Sequence, residues 1–117
     1  MKKIFIFVAL CMALPLQAAT IVAGSWTTAA KVTSIAIYGV EGSSPSYRIT
    51  TDTVDVTSTG CASSNGAYWW WSADPAAKET YSMILAAYAA GKKITVTFTN
   101  ECNNSATRIH HIIIVDN

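Results

Sequence analysis

The stretch AYWWWSADPAAKETYSMILAAYAAGKKITVTFTN, residues Ala67 to Asn100, predicts a strand, a helix and a second strand in immediate succession. Aromatic residues favour pleated, half-buried surfaces, so AYWWWSA (Ala67 to Ala73) is predicted to be a strand. Asp74 and Pro75 then form a helix start signal, an N-cap acid followed by a residue whose missing N–H costs nothing in the first turn. Gly91 is the predicted end of the helix.

The predicted helix has two different faces. Its larger apolar residues share one face by their spacing and are expected to pack on the domain's own core: Ala77, Tyr81, Ile84, Leu85 and Tyr88. The opposite face consists of small residues that would let a second subunit come close: Ala86, Ala89 and Ala90. These three alanines are the candidate oligomer interface.

The segments on both sides of this stretch add further strands. KVTSIAIYG (Lys31 to Gly39) and YRITTDTVDVTS (Tyr47 to Ser58) precede it, separated by the turn cluster GSSPS, and TRIHHIIIVDN (Thr107 to Asn117) follows it. The strand after the helix alternates, with three apolar residues on one face: Ile94, Val96 and Phe98. The predicted fold is therefore mainly β with one helix, in the order β-β-β-α-β-β.

That order is expected of an OB-fold-like five-stranded Greek-key barrel, in which a helix between the third and fourth strands closes one end. An open α+β sheet with one covering helix would have the same order. We expect the barrel.

The N-terminal residues have the features of a secretory signal peptide. Lys2 and Lys3 are followed by the apolar run IFIFVALCMALPL and by QAA. The run is too short to span a bilayer, and Leu10 stands before Cys11 where a lipoprotein signal requires a small residue. We expect a signal peptide over residues 1–18, one domain over residues 19–117, and export to the periplasm or out of the cell, with no membrane insertion.

The charge of the exported domain argues against two classes of partner. The whole chain has eight Lys and Arg and seven Asp and Glu, and removal of Lys2 and Lys3 leaves six basic residues. The net charge is then near −1, which does not favour a nucleic acid held through its phosphates. It does not favour an electrostatic hold on an anionic membrane either.

The cysteines predict one disulfide. Removal of the signal peptide leaves Cys61 and Cys102, and an exported chain with two cysteines most simply joins them. They form no C-x-x-C pair of the kind found in zinc and redox sites. His110 and His111 are neighbours on a strand and are expected to face opposite ways, so they would not hold one metal. No metal or cofactor is expected, and since no serine, histidine and acid set has a recognisable spacing, no enzymatic activity is expected.

The loop and helix together carry a family resemblance. GCASSNGAYWW places Trp69 eight positions after Cys61, and Y-x-x-I-L-A-A-Y-x-x-G-K-K-I follows in the helix. From about Lys31 to Cys102 the chain resembles the B subunits of subtilase cytotoxin and of the pertussis-like typhoid toxin. The resemblance implies an exported OB-fold subunit that assembles as a pentamer, binds sialylated cell-surface glycans and delivers a separate toxic A subunit.

The sugar pocket of that family is built around a serine on the first barrel strand. The nearest match is Thr33, with Ser34 beside it, and the acidic and tyrosine partners of the pocket have no match in this sequence. An alternative function is therefore a free-standing periplasmic or secreted OB-fold domain with a structural or inhibitory role and no sugar binding.

The three tryptophans divide by strand parity. Trp70 must face opposite to Trp69 and Trp71. Trp69 matches the family's tryptophan and is predicted to be the packed anchor, so Trp70 is predicted to turn outward toward a neighbour, solvent or ligand. In one interpretation the rings pack against the core, the helix or a neighbouring subunit; in the other, one of them is a platform for a sugar ring. Trp70 and Trp71 join Thr33 and Ser34 as candidate ligand-binding residues.

Overall fold

The computed structural model describes residues 20–42, 44–53, 56–57, 61, 66–103 and 105–116. The predicted signal peptide lies outside the described residues. The elements are β1 (Thr20–Ile21), β2 (Ala30–Tyr38), β3 (Ser46–Thr51), β4 (Val56–Thr57), β5 (Ala67–Trp71), α1 (Ala77–Ala90), β6 (Lys93–Asn103) and β7 (Ala106–Val115). The prediction of a mainly β fold with one helix is confirmed. The short β1 was not predicted, and the predicted strand Tyr47 to Ser58 is divided into β3 and the short β4, which pairs with β1 in parallel.

The five longer strands form one sheet that closes on itself, in the order β2-β3-β5-β7-β6. Most neighbours are antiparallel, whereas β5 and β7 run parallel through only two residue pairs, Tyr68 with Thr107 and Trp69 with Arg108. β2 and β6 also share only two pairs, Ala30 with Ile94 and Lys31 with Lys93. The closed sheet therefore has two short seams, that is, two strand junctions with only two residue pairs each: β5–β7 and β2–β6.

The segment that precedes β2 pairs with the part of β6 that lies beyond the short β2–β6 ladder. Gly24 N–H donates to the Phe98 carbonyl at 3.0 Å, and Thr27 N–H donates to the Val96 carbonyl at 2.9 Å. The Thr27 hydroxyl in turn accepts the Val96 N–H at 3.1 Å. Residues 24–27 thus satisfy backbone groups of β6 that β2 does not reach.

The core lies inside the closed sheet and beneath α1. Its buried residues are Val32, Ile49, Tyr68, Trp70, Ala77, Ile84, Ala87, Ile94, Val96 and Phe98. The predicted alternation of β6 is confirmed, because its three apolar residues are all buried in this core. Burial of such side chains contributes ~1.5–3 kcal/mol each.

The helix begins later than the sequence predicts. Ala76 occupies the N-cap position without a side-chain hydrogen bond, so the prediction that Asp74 caps the helix is wrong. Asp74 instead closes the turn before α1, where its carboxylate accepts the Trp71 N–H at 3.1 Å. Gly91 ends the helix as predicted, in the left-handed conformation with φ +63°, which glycine adopts without steric cost.

Three of the five helix residues predicted to face the core do so, namely Ala77, Tyr81 and Ile84. Ile84 and Ala87 are buried, but Leu85 and Tyr88 are 41% and 51% exposed, so their assignment to the core is wrong. Because the core-facing Ala87 has a small side chain, the helix backbone can lie close to the strands. The predicted interface residues Ala86, Ala89 and Ala90 are exposed.

Trp69 and Trp71 share one face of β5 and Trp70 lies on the other, as predicted, but the inner and outer faces are exchanged. Trp70 points into the barrel and is 2% exposed, with its Nε1 donating to the Ala77 carbonyl at 3.1 Å. Trp69 and Trp71 lie on the outer face, where Trp69 is nevertheless only 4% exposed because it packs against Ala67, Ala106 and Trp71. The outward orientation predicted for Trp70 is therefore wrong.

The predicted disulfide is confirmed. Cys61 and Cys102 are bonded, with their Cα atoms 5.5 Å apart. The bond joins the chain before β5 to the end of β6. In the described part of the chain, no helix combines the length and the apolar character needed to cross a membrane.

Candidate functional site

A cleft of about 340 Å³ lies between the start of α1 and the strands β6 and β7. Its apolar lining consists of Trp70, Pro75, Ala76, Ala77 and Ile109. Its polar lining consists of Asp74, Thr80, Thr99, Glu101, Arg108 and His110. The cleft thus presents an apolar surface beside carboxylate, guanidinium, hydroxyl and imidazole groups.

Arg108 is at the centre of the polar lining. Its Nη2 lies 2.8 Å from Asp74 Oδ1, and its Nη1 lies 2.7 Å from Glu101 Oε2. The hydrogen bond to Glu101, followed by that to Asp74, raises the pKa of Arg108 above its ordinary value, against the opposing effect of partial burial. Arg108 is therefore a permanent cation held between two carboxylates.

The fold positions this triad through two neighbouring strands and a turn. Arg108 on β7 pairs with Trp69 on β5, and its guanidinium lies over the Trp69 ring at 5.4 Å from the centroid. Asp74 is held by the turn that follows β5, since it also accepts the Trp71 N–H. The Trp69 ring and the Asp74 carboxylate therefore restrict the position of the guanidinium.

The structure does not bring the four predicted ligand-binding residues together. Thr33 and Ser34 are exposed on β2 next to a register shift, and both hydroxyls contact the Thr50 Oγ1. Trp71 is half-buried and meets the Trp69 ring edge-on at 5.0 Å. Trp70 alone of the four lines the cleft, and its burial rules it out as an exposed platform for a sugar ring.

The three charged residues of the cleft were not predicted as site residues. Asp74 was interpreted only as a helix cap, and Glu101 and Arg108 were not singled out. The sequence feature that could have indicated the cleft is Arg108, a basic residue near the start of the apolar strand TRIHHIIIV. A charged side chain in such a strand is rarely buried unless an opposite charge pairs with it.

The two histidines lie on the same side of β7, so the prediction that they face opposite ways is wrong. His111 pairs with Thr97 and Ile109 pairs with Phe98, which leaves His110 as an extra residue in the ladder. Such a bulge re-aims a side chain. The two imidazole centroids are 4.0 Å apart. No group of three or more His, Cys, Asp or Glu side chains placed to hold a metal occurs in the parts of the chain that the structure describes.

A second polar notch lies on the outer face of the sheet, lined by Tyr38, Ser46, Arg48, Trp69 and Asn103. The Trp69 Nε1 is buried and has no hydrogen-bond partner among the described residues. The accessible space in the notch is about 10 Å³, which is the size of a single water molecule. The notch is thus too small for a sugar ring, and the larger cleft is the candidate site.

A scan against models of known protein families finds no match to this chain, and a search of the curated proteins finds no significant match.

Proposed function

We propose that the chain is an exported, non-enzymatic binding module that holds a glycan in the cleft beside α1. The strand order supports an OB-fold Greek-key barrel, because the first three barrel strands are neighbours in sequence order and the fifth lies between the third and the fourth. OB folds commonly bind oligosaccharides. The disulfide is compatible with an oxidising, exported environment.

The observation that carries the proposal is the Arg108 triad beside an apolar surface. A sugar ring has apolar C–H faces and a girdle of hydroxyls that both donate and accept hydrogen bonds. The cleft offers the accessible apolar residues Pro75, Ala76 and Ile109 next to a guanidinium with two carboxylates. At about 340 Å³ it lies at the lower end of the usual range for small-molecule pockets, roughly 300–1,000 Å³.

The same groups support binding without catalysis. Asp74 and Glu101 are both engaged by Arg108. Asp74 accepts from the Trp71 N–H and from Arg108, and Glu101 accepts from Arg108, so both carboxylates serve an ion-paired cluster rather than the activation of a nucleophile. Cys61 and Cys102 are consumed by the disulfide.

A change at Arg108 tests the site. Arg108→Met keeps an unbranched apolar stem but removes the guanidinium and every donor, and we expect glycan affinity to fall at least tenfold, since hydrogen bonds to charged groups are worth ~1.5–3 kcal/mol. A glycan array on the mature protein would identify the ligand, and calorimetry would then measure the affinity. Arg48→Met is the matched control, because Arg48 lies against Tyr38 at the separate notch. Equal loss of affinity in both variants would contradict the proposed site.

We also propose that the subunit forms a homo-oligomer through the outer face of α1. Beside the exposed alanines, α1 leaves three larger apolar residues partly exposed: Met83, Leu85 and Tyr88. Exposed apolar patches of this kind mark interaction surfaces. The number of five subunits and a separate A subunit follow from the resemblance to the toxin B subunits.

Ala86→Arg should dissociate the oligomer and leave each subunit folded, because Ala86 lies at the middle of the exposed helix face and an arginine there would separate the two surfaces. Sedimentation equilibrium measures the mass, and circular dichroism reports the fold. Ala73→Arg introduces the same change at an exposed alanine outside α1 and should leave the mass unchanged. A wild-type protein that sediments as a single chain would refute this assembly.

A further inference from the structure

We infer that the cleft selects uncharged glycans over sialylated ones. This inference rests on the proposed glycan-binding function and names the class of ligand. The resemblance to toxin B subunits implies sialylated glycans, whereas the charges that line this cleft favour a ligand without a carboxylate.

The balance of charge in the cleft is unfavourable for an anion. Its charged side chains are Asp74, Glu101 and Arg108, so carboxylates outnumber guanidinium groups by two to one. Arg108 is already engaged by both acids, at 2.8 Å and 2.7 Å. A sialic acid carboxylate bound to Arg108 would lie close to both acids, and like charges at such distances repel.

A neutral sugar meets the same groups without that conflict. Glu101 uses Oε2 for Arg108, and its side chain is 56% exposed, so the carboxylate can accept further hydrogen bonds from a hydroxyl. The guanidinium of Arg108 has more N–H donors than its two ion pairs use. Two adjacent sugar hydroxyls can therefore donate to Glu101 and accept from Arg108. A carboxylate group can only accept.

The hydroxyls of the cleft add to this preference. Thr80 Oγ1 donates to the Ala76 carbonyl at 2.8 Å, so its oxygen lone pairs are available to accept a hydrogen bond from another donor. Arg48, the other arginine of this outer region, lines the small notch and is not part of the cleft lining. The cleft therefore contains acceptors in excess and a single guanidinium that is already paired, a combination suited to a ligand rich in O–H donors.

The test compares pairs of glycans that differ only in a terminal sialic acid, measured by calorimetry on the full mature protein. We expect the uncharged member to bind at least ten times more tightly. Glu101→Gln removes one negative charge and keeps the shape, so it should reduce this ratio at least threefold. Glu41→Gln, at an exposed carboxylate in the turn after β2, should leave the ratio unchanged.

The outcomes separate the two proposals. Tighter binding of the sialylated member, or the same ratio in Glu101→Gln as in the wild type, overturns the charge selection and leaves glycan binding in place. No binding of any glycan, charged or uncharged, overturns the proposed function and this inference with it.

Discussion

Trp70→Ala is expected to lower the free energy of unfolding by about 3–5 kcal/mol, a large part of the stability of a small domain. The Trp70 ring is buried in the core and packs beside Tyr47 at 5.3 Å between centroids. Its Nε1 also holds the Ala77 carbonyl at the first residue of α1. The substitution therefore creates a cavity and releases the start of the helix together.

Urea denaturation followed by circular dichroism would measure this change. Trp26→Ala is the matched control, because Trp26 is a partly exposed tryptophan outside the core and should cost about 1 kcal/mol or less. Trp70→Phe should fall between the two, since it keeps most of the buried ring and loses only the hydrogen bond and part of the volume. If Trp70→Ala were as stable as Trp26→Ala, the assignment of Trp70 to the core would be refuted.

Replacement of both cysteines, Cys61→Ser with Cys102→Ser, is expected to destabilise the domain by about 2–4 kcal/mol. The bond spans 41 residues, and its loss increases the conformational entropy of the unfolded chain. It also ties the chain before β5 to the end of β6 near Thr107, at the parallel seam between β5 and β7 that has only two residue pairs. The double variant thus loses a covalent link close to the point where only two residue pairs join β5 to β7.

The unfolding midpoint in urea of the double variant would be compared with that of the wild type, oxidised and fully reduced. The reduced wild type should match the double variant, because both lack the bond and differ little otherwise. A wild-type midpoint that reductant does not move would contradict the prediction. Detection of two free thiols in the unfolded, unreduced protein would do the same.

The sequence predicts the order of the barrel strands along the chain because the relevant signals are local. Alternation places Ile94, Val96 and Phe98 on one face whatever the strand pairs with, and Gly91 adopts the left-handed conformation that ends a helix. The helix start is less certain from sequence, since Asp74 can cap a helix or close a preceding turn and its neighbours allow both.

The tryptophans show that strand periodicity does not reveal which face of a strand is the inner one. A period of two assigns Trp69 and Trp71 to one face and Trp70 to the other, but it does not say which face is inside, and a shift of one residue reverses every side chain. Both faces of β5 are buried here, because Arg108 and Ala106 cover the outer one. Hydrophobicity alone therefore gave no contrast between Trp69 and Trp70.

The candidate site depends on contacts between distant parts of the chain. Asp74 and Arg108 are separated by 34 residues and meet only because β5 and β7 run side by side. The bulge at His110 also has no local signal, since it arises from the register between β6 and β7. Loop closure and register are properties of the whole fold, so these residues could not be grouped from spacing.

The bonds between residues 24–27 and β6 have a consequence for solubility. Beyond Ile94, β6 would otherwise be an edge strand, and an unpaired edge is a template on which another chain can add a strand. The backbone groups of Val96 and Phe98 are instead occupied from within the same molecule. As far as Phe98, this edge is closed to a strand from a second molecule, which protects this part of the sheet against edge-to-edge aggregation.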